Sequence, residues 1–226
     1  MPSRAPLPTQ HPDIAALARL GGSVRQRLDA DPSAFKVPTD QIELYGVANF
    51  LSEAECDRLI AIIDAVAQPS ELFTTPYSKG HRTSYSGNVD SSDPFVRMIE
   101  RRIDDLLGIP HEFGETVQGQ RYQVGQEFRA HNDYFHTGEA YWPEQSRRGG
   151  QRSWTAMAYL NAVEEGGSTL FNKIGLDIPP QPGTLIVWNN MLPNGAPNPD
   201  TIHAGTPVVR GTKYIVTKWY RTRKWG

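Results

Sequence analysis

From residue 52 onward the apolar positions fall at helical spacing. Ser52-x-x-Glu55 has the form of a capping box, and Leu59, Ile62, Ile63 and Val66 follow on one face, which predicts an amphipathic helix over residues 53–66. Asp93-Pro94 offers a second N-cap with proline at the first helical position. Phe95, Met98, Ile99, Ile103, Leu106 and Leu107 then supply the apolar stripe of another helix. The stretch between them, residues 68–93, is rich in turn formers and reads as a loop. Ahead of both, a short apolar run at residues 41–47 fits a strand. Beyond Gly108 the texture changes to short alternating or β-branched runs at residues 116–128, 154–160, 168–171, 183–188, 202–204 and 213–221, separated by Gly, Pro and Asn. Many short strands with turn punctuation imply a sandwich or barrel. Residues 1–40 read as an N-terminal arm with a short helix at 13–20 that Gly21-Gly22 stops, leaving 41–226 as a single domain. Residues 138–151 exceed the usual connection length, so they and the 70–86 segment are expected to act as lids or binding loops.

Composition narrows the partners. With 23 basic and 25 acidic side chains in 226 residues the net charge is −2, and no run of like charge forms a polyelectrolyte tail, so nucleic acid is not expected. No apolar stretch approaches the roughly 18 residues that span a bilayer, so no membrane is expected either. The N-terminus lacks the apolar core of a secretory signal, and Cys56 is the single cysteine, which leaves no intramolecular disulfide and suggests a reducing cytoplasm. On its helix Cys56 reads as a small buried filler.

The candidate chemistry comes from strand parity. His131 and Asp133 are at i and i+2, so an imidazole and a carboxylate share one strand face while Asn132 turns away. A third ligand fits at His203, at the start of a late strand. Two neutral imidazoles and one carboxylate form the facial set that suits non-haem Fe(II), against the plainer reading of an ordinary surface strand end. Lys213, ten positions after His203, lies in an otherwise apolar or aromatic strand. A lysine directed into an apolar barrel needs an anion, which points to a dicarboxylate cosubstrate. By the same parity Lys213, Ile215, Thr217 and Trp219 share one face and Thr155, Met157 and Tyr159 another, though ordinary strand packing accounts for Thr155 and Tyr159 equally well. Tyr122, nine positions before His131, has the wrong parity unless a bulge sits near Gly125. His11, His81 and His111 lack ligand spacing, His136 belongs on the rim of the site, Arg221 to Lys224 read as a solvated end, and Trp225 as a cap on an apolar surface.

Four ordered motifs carry a family resemblance. Residues 121–133 (RYQVGQEFRAHND), Tyr159-Leu160-Asn161, residues 165–171 (EGGSTLF), and His203-Ala204-Gly205 with Gly211-Thr212-Lys213-Tyr214 together resemble the prolyl 4-hydroxylase group of 2-oxoglutarate/Fe(II) dioxygenases, over about residues 42–223. Arg82-Thr83-Ser84 is similar to a loop motif of that family. The resemblance implies an α+β, mainly β fold: a double-stranded β-helix (jelly-roll, cupin-like) core at about residues 116–223, with N-terminal helices packed on one sheet. It implies Fe(II) held by His131, Asp133 and His203, and 2-oxoglutarate anchored by Lys213 with help from Thr155 in a pocket lined by Tyr122, Thr217 and Trp219. O2 is then the oxidant, ascorbate the expected reductant, and no protein general base is needed.

The implied activity is hydroxylation of an unactivated C–H bond, with 2-oxoglutarate converted to succinate and CO2, on a prolyl residue of a protein or peptide. A free amino acid or other small molecule, or a non-catalytic metal-binding β-barrel, stand as alternatives. Departures concern the substrate side. Phe128 stands where relatives that act on peptidyl proline commonly carry tyrosine, Arg221 where they tend to have histidine, and Asn172 follows Phe171 where the motif ends in proline. Arg152 matches a substrate-side arginine, and Arg82, Phe128 and His136 complete the set expected to face substrate.

Overall fold

The computed structural model describes residues 12–70 and 80–226. His11 and the middle of the expected 70–86 lid lie outside the described residues. The capping box at Ser52 forms as its spacing requires, with the Glu55 N–H donating to Ser52 Oγ at 3.3 Å and the Ser52 N–H to Glu55 Oε2 at 2.9 Å. It opens α2 (Glu53–Val66). Asp93 accepts from the Phe95 N–H at 2.8 Å to start α3 (Pro94–Leu107), which ends on Gly108 in the left-handed region. The buried stripe of α3 is Phe95, Val96, Ile99, Ile103 and Leu107, and Met98 faces out.

The first helix differs from its expectation. Instead of stopping at Gly21-Gly22, α1 runs Ile14–Ala30 and buries Leu17, Gly21, Val24 and Leu28 on one face. A Cβ at Gly21 would lie 2.9 Å from Asn189 Nδ2, so the glycine lets this helix approach the sheet closely, an advantage that offsets its cost of about 1 kcal/mol in a helix interior.

Among the described residues the strands form antiparallel sheets. The largest has eight strands in the order β1 (Phe35–Lys36), β2 (Leu44–Val47), β11 (Leu185–Asn189), β7 (Arg152–Tyr159), β14 (Lys213–Arg221), β5 (Gln118–Tyr122), β4 (Tyr85–Asn88) and β3 (Gln68–Pro69). Facing it are β10 (Leu176–Ile178), β9 (Thr169–Phe171), β12 (His203–Gly205) and β6 (Phe128–His131), with a small pair of β13 (Val208–Arg210) and β8 (Glu165–Gly166). Residues 68–93, expected to be loop, therefore contribute two strands to the sheet edge. The run at 116–128, expected as one strand, is two: β5 lies in the large sheet, β6 in the small one. Between them Gly125, at φ 80°, makes a turn rather than the expected bulge, so Tyr122 and His131 are under no common parity.

Alternation divides the large sheet into two chemistries. Tyr45, Val47, Trp154, Ala156, Ala158, Val187, Val216 and Tyr220 face the helices, where they pack with Leu28, Leu59, Ile63, Ile99 and Ile103. Leu44, Met157, Tyr159, Ile186, Trp188 and Ile215 face the small sheet and pack with Tyr122 and Phe171. On the helix side one polar cluster pins α3 to β14. Asp104 Oδ1 accepts from both Lys218 Nζ and the Tyr220 hydroxyl at 2.6 Å, and its Oδ2 lies 2.7 Å from His111 Nδ1. Burial and the adjacent Asp104 carboxylate push the Tyr220 hydroxyl well above its ordinary range.

Replacing Asp104 by alanine leaves the Lys218 ammonium buried without an acid, and is expected to cost about 3–5 kcal/mol in denaturant unfolding. The paired change Asp104→Leu with Lys218→Met is expected to recover most of that loss. A near-neutral single change would show that this cluster does not hold the helix to the sheet.

Candidate metal centre

His131 ends β6 and His203 begins β12, and the two are direct register partners across the antiparallel pair. Their rings stand 4.3 Å apart, centroid to centroid. Asp133, two residues past β6, brings Oδ1 to 3.8 Å from His131 Nε2 and Oδ2 to 3.9 Å from His203 Nε2. The ligating atoms of all three lie within 4.8 Å of one another, and all three residues are buried. Each imidazole has its Nδ1 against a backbone carbonyl, that of Arg129 at 2.8 Å and that of Thr201 at 2.9 Å. A carbonyl can only accept, so Nδ1 carries the proton and the Nε2 lone pair is free for a cation. Burial, with His203 next to it, pushes His131 well below its ordinary range and keeps the ring neutral. The buried Asp133 carboxylate makes no hydrogen-bonded ion pair with a guanidinium or ammonium group among the described residues, and one divalent cation at the point where it meets the two Nε2 atoms would neutralise it. The residues present therefore fit the facial metal set.

A polar chain fixes the carboxylate. Thr155 Oγ1 donates to Asp133 Oδ2 at 2.7 Å and accepts from Asn190 Nδ2 at 2.9 Å, while Trp188 Nε1 donates to Asn190 Oδ1 at 3.1 Å. Thr155 is thus a positioning residue for a metal ligand, not the expected helper of Lys213, because its hydroxyl is already committed to Asp133. Asn190 was not anticipated; it lies just beyond the apolar strand that suggested β11.

Two cavities meet at this centre. The inner one is narrow and is lined by the three ligands together with Tyr122, Lys213, Thr217, Trp219 and Thr169. Lys213 is buried, with Nζ 5.5 Å from the Tyr122 ring centre and 5.6 Å from that of Tyr159. It makes no hydrogen bond or ion pair among the described residues, and burial pushes its ammonium down to about 7. Gln120, unnoticed in the sequence, links two of the expected residues: its Nε2 donates to Thr217 Oγ1 at 3.1 Å and its Oε1 accepts from the Tyr122 hydroxyl at 2.7 Å. Its i, i+2 relation to Tyr122 was the available signal.

The outer cavity, about 370 Å³, opens on the other side of the ligands. Phe128 stacks flat on His131, with centroids 3.5 Å apart, and part-buried Arg82 lies over Phe128 at 4.9 Å. Arg152 is no strand-edge charge. It binds Glu115 through Nε to Oε1 at 2.6 Å and Nη2 to Oε2 at 2.8 Å, and lies 4.1 Å over the Trp219 ring. Arg221 joins the same carboxylate at 2.6 Å and donates to Gly150 O at 2.6 Å and Gln145 Oε1 at 2.7 Å. The two guanidinium groups hold the buried Glu115 carboxyl below its ordinary range against the opposing effect of burial.

The expected solvated tail is therefore wrong for Arg221 and Thr222, which are buried; Arg223 and Lys224 are exposed. Arg221 also ties down the 138–151 segment, whose α4 (Trp142–Arg147) buries Trp142, Gln145 and Ser146, so that this expected lid is a packed wall. His136, Tyr141 and Trp225 line the same cavity, which gives Trp225 a place in the site instead of on an apolar surface.

Comparison with known proteins agrees with this geometry. The family described as the 2OG-Fe(II) oxygenase superfamily matches residues 117–221. Prolyl 4-hydroxylase 5 of Arabidopsis thaliana is 32% identical over 204 residues, covering 78% of this chain and 67% of the relative. Probable prolyl 4-hydroxylase 10 of the same plant is 33% identical over 202 residues, covering 78% and 68%. The chain thus spans about two thirds of the length of these curated relatives. Among solved structures, a viral collagen prolyl hydroxylase from Paramecium bursaria Chlorella virus-1 superposes with a TM-score of 0.58 at 28% identity, covering 79% of this chain and 95% of the other. A Pseudomonas putida prolyl-4-hydroxylase at 21% identity, TM-score 0.57 and coverage of 90% and 99%, shares the fold.

Two outcomes follow from the site. Thr155→Val removes the donor to Asp133 and is expected to weaken Fe(II) binding about 10–100-fold in anaerobic titration with the unfolding midpoint little changed; unaltered affinity would mean the carboxylate is held by other contacts. Because Lys213 is largely neutral above pH 7 in the free protein, and only its ammonium form pairs with a carboxylate, diacid binding draws in a proton. The affinity for 2-oxoglutarate is expected to fall up to about tenfold per pH unit above 7, with uptake of about one proton in calorimetry across buffers of differing ionisation enthalpy. A flat profile would mean that the lysine is already charged before the diacid arrives.

Proposed function

The chain belongs to the prolyl 4-hydroxylase family of 2-oxoglutarate/Fe(II) oxygenases, and from that premise we propose that it hydroxylates a prolyl residue of a protein or peptide. The observation that carries the reading is the convergence of His131, Asp133 and His203 in one cavity with a buried lysine that makes no ion pair among the described residues. When bound, iron with 2-oxoglutarate and O2 supplies the oxidation: one oxygen atom enters the substrate C–H bond, the other enters succinate, and CO2 leaves.

The protein's part is placement and exclusion of water. His131 and His203 turn their Nε2 atoms to the centre, with each Nδ1 held by a backbone carbonyl, and Thr155 holds Asp133 at its Oδ2. Lys213 pairs with the distal carboxylate of 2-oxoglutarate, while Gln120 orients the Tyr122 and Thr217 hydroxyl groups beside it. Trp219 lines both cavities, so its indole stands between the cosubstrate and the substrate sides. Arg152, Phe128, Arg82 and His136 form the substrate wall, with Glu115 fixing the Arg152 plane against Trp219. Ascorbate is the proposed reductant that restores iron after turnover without substrate.

Purified protein with Fe(II), ascorbate and 2-oxoglutarate under air is expected to release succinate in step with a peptide gaining the mass of one oxygen atom on proline. His131→Ala and Asp133→Ala are expected to abolish both. A protein that binds iron and 2-oxoglutarate yet oxidises no proline-containing peptide or free amino acid would sink the proposal in favour of a binding module.

A further inference from the structure

The charges around the two cavities do not balance within the protein. On the inner side a divalent metal and the Lys213 ammonium are offset by Asp133 and the two carboxylates of 2-oxoglutarate, so that side is neutral once loaded. On the outer side Glu115 binds Arg152 and Arg221 together, Arg82 lines the same cavity, and the other acid in that lining is Asp133, already counted on the metal side. Arg82 donates through Nε to Ser84 Oγ at 3.0 Å and through Nη2 to Gln118 Oε1 at 2.9 Å; it makes no hydrogen bond or ion pair to a carboxylate among the described residues, and Asp133 acts on it only at longer range. Two further donors on this wall are buried without acceptors among the described residues, Asn132 Nδ2 and Trp219 Nε1. A cavity with guanidinium groups and free donors in its wall favours a ligand that brings negative charge and acceptor atoms.

We propose that the substrate of this chain carries a carboxylate close to the carbon that is oxidised, and that Arg82 is the residue that selects for it. The inference rests on the oxygenase reading for the identity of the outer cavity as the substrate site, and it narrows the substrate to an anionic class. The carboxylate has two chemical sources: an acidic residue flanking the target proline in a peptide, or the α-carboxylate of a free amino acid.

Binding is measured anaerobically, by calorimetry, to protein loaded with Fe(II) and 2-oxoglutarate, using matched pairs: proline peptides with Glu or Gln beside the proline, and free L-proline against L-prolinamide. The acid member of one pair is expected to bind about tenfold or more tightly than its neutral partner, and the pair that discriminates identifies the source. Arg82→Gln is expected to remove the preference and Arg82→Lys to keep part of it, with 2-oxoglutarate affinity as the check that the site is intact. Equal binding within both pairs, no binding of any member, or a preference that survives Arg82→Gln overturns the proposal. Selective binding of the acid without oxidation under air would instead leave it standing while the oxygenase reading fails; oxidation of the neutral peptides with equal affinity would do the reverse.

Discussion

The site depends on the register between two short antiparallel strands. His131 and His203 are register partners across β6 and β12, beside an irregularity that sets Gly205 opposite Phe128, and their side chains converge with Asp133 in that alignment. A slip of one position would turn one imidazole to the opposite face, because side chains alternate along a strand. The register is kept by features that are not themselves ligands. The small sheet continues through β9 and β10, and on the other side of the centre Trp188 sets its ring edge-on to both His203 and Phe171 at 5.0 and 5.5 Å. The aromatic rings that pack against the imidazoles, Phe128 on His131 and Trp188 and Phe171 on His203, fix the rings in place.

Much of this was legible from residue types and parity. The capping box at Ser52 and the Asp93-Pro94 start gave the two middle helices because those signals are local. The His-x-Asp pair and the face shared by Lys213, Thr217 and Trp219 were legible for the same reason: period two needs only neighbours in sequence. What failed was of longer range. Gly21-Gly22 read as a stop because the benefit of a glycine there comes from Asn189, far along the chain. Thr155 was placed on the correct face, but its hydroxyl partner was not fixed by parity, and Asp133 claims it. Arg221 read as part of a solvated end because its acid, Glu115, belongs to a segment with no pattern of its own. Tyr122 and His131 were treated as one strand, whereas the turn at Gly125 moves the chain between sheets, a change that alternation alone does not reveal.

The departures from the usual family pattern fall together in space. Phe128 and Arg221 are separated in sequence but both belong to the surroundings of the outer cavity, Phe128 as its floor over His131 and Arg221 behind Glu115. A guanidinium at position 221 does more than fill the volume of an imidazole. Besides Glu115 it reaches Gly150 and Gln145, so it joins the wall of the outer cavity to the 138–151 segment. A neutral imidazole in its place could not share the Glu115 charge in the same way, and Arg152 would then have that carboxylate to itself. The positive surplus of the outer cavity is thus partly a consequence of this one residue.

The strand β14 shows how the protein separates charges it satisfies from charges it leaves for ligands. Lys213 and Lys218 are both almost wholly buried, and being an odd number of positions apart they point to opposite faces of the large sheet. Lys218, on the helix side, meets Asp104 at 2.6 Å and closes its account within the fold. Lys213, on the site side, faces two aromatic rings and has no ion-paired acid among the described residues, Asp177 acting on it only at longer range. An isolated buried ammonium destabilises the native state, so a chain under no other constraint would be more stable with an apolar residue there. Two lysines in one strand with equal burial and opposite provision are consistent with the proposal that a carboxylate of the cosubstrate pairs with Lys213. The same argument applies on the other side of the metal ligands to Arg82, whose hydrogen-bond partners Ser84 and Gln118 are neutral. Stability is sacrificed where ligands bind and secured where helices pack, and the alternation of a single strand keeps the two apart.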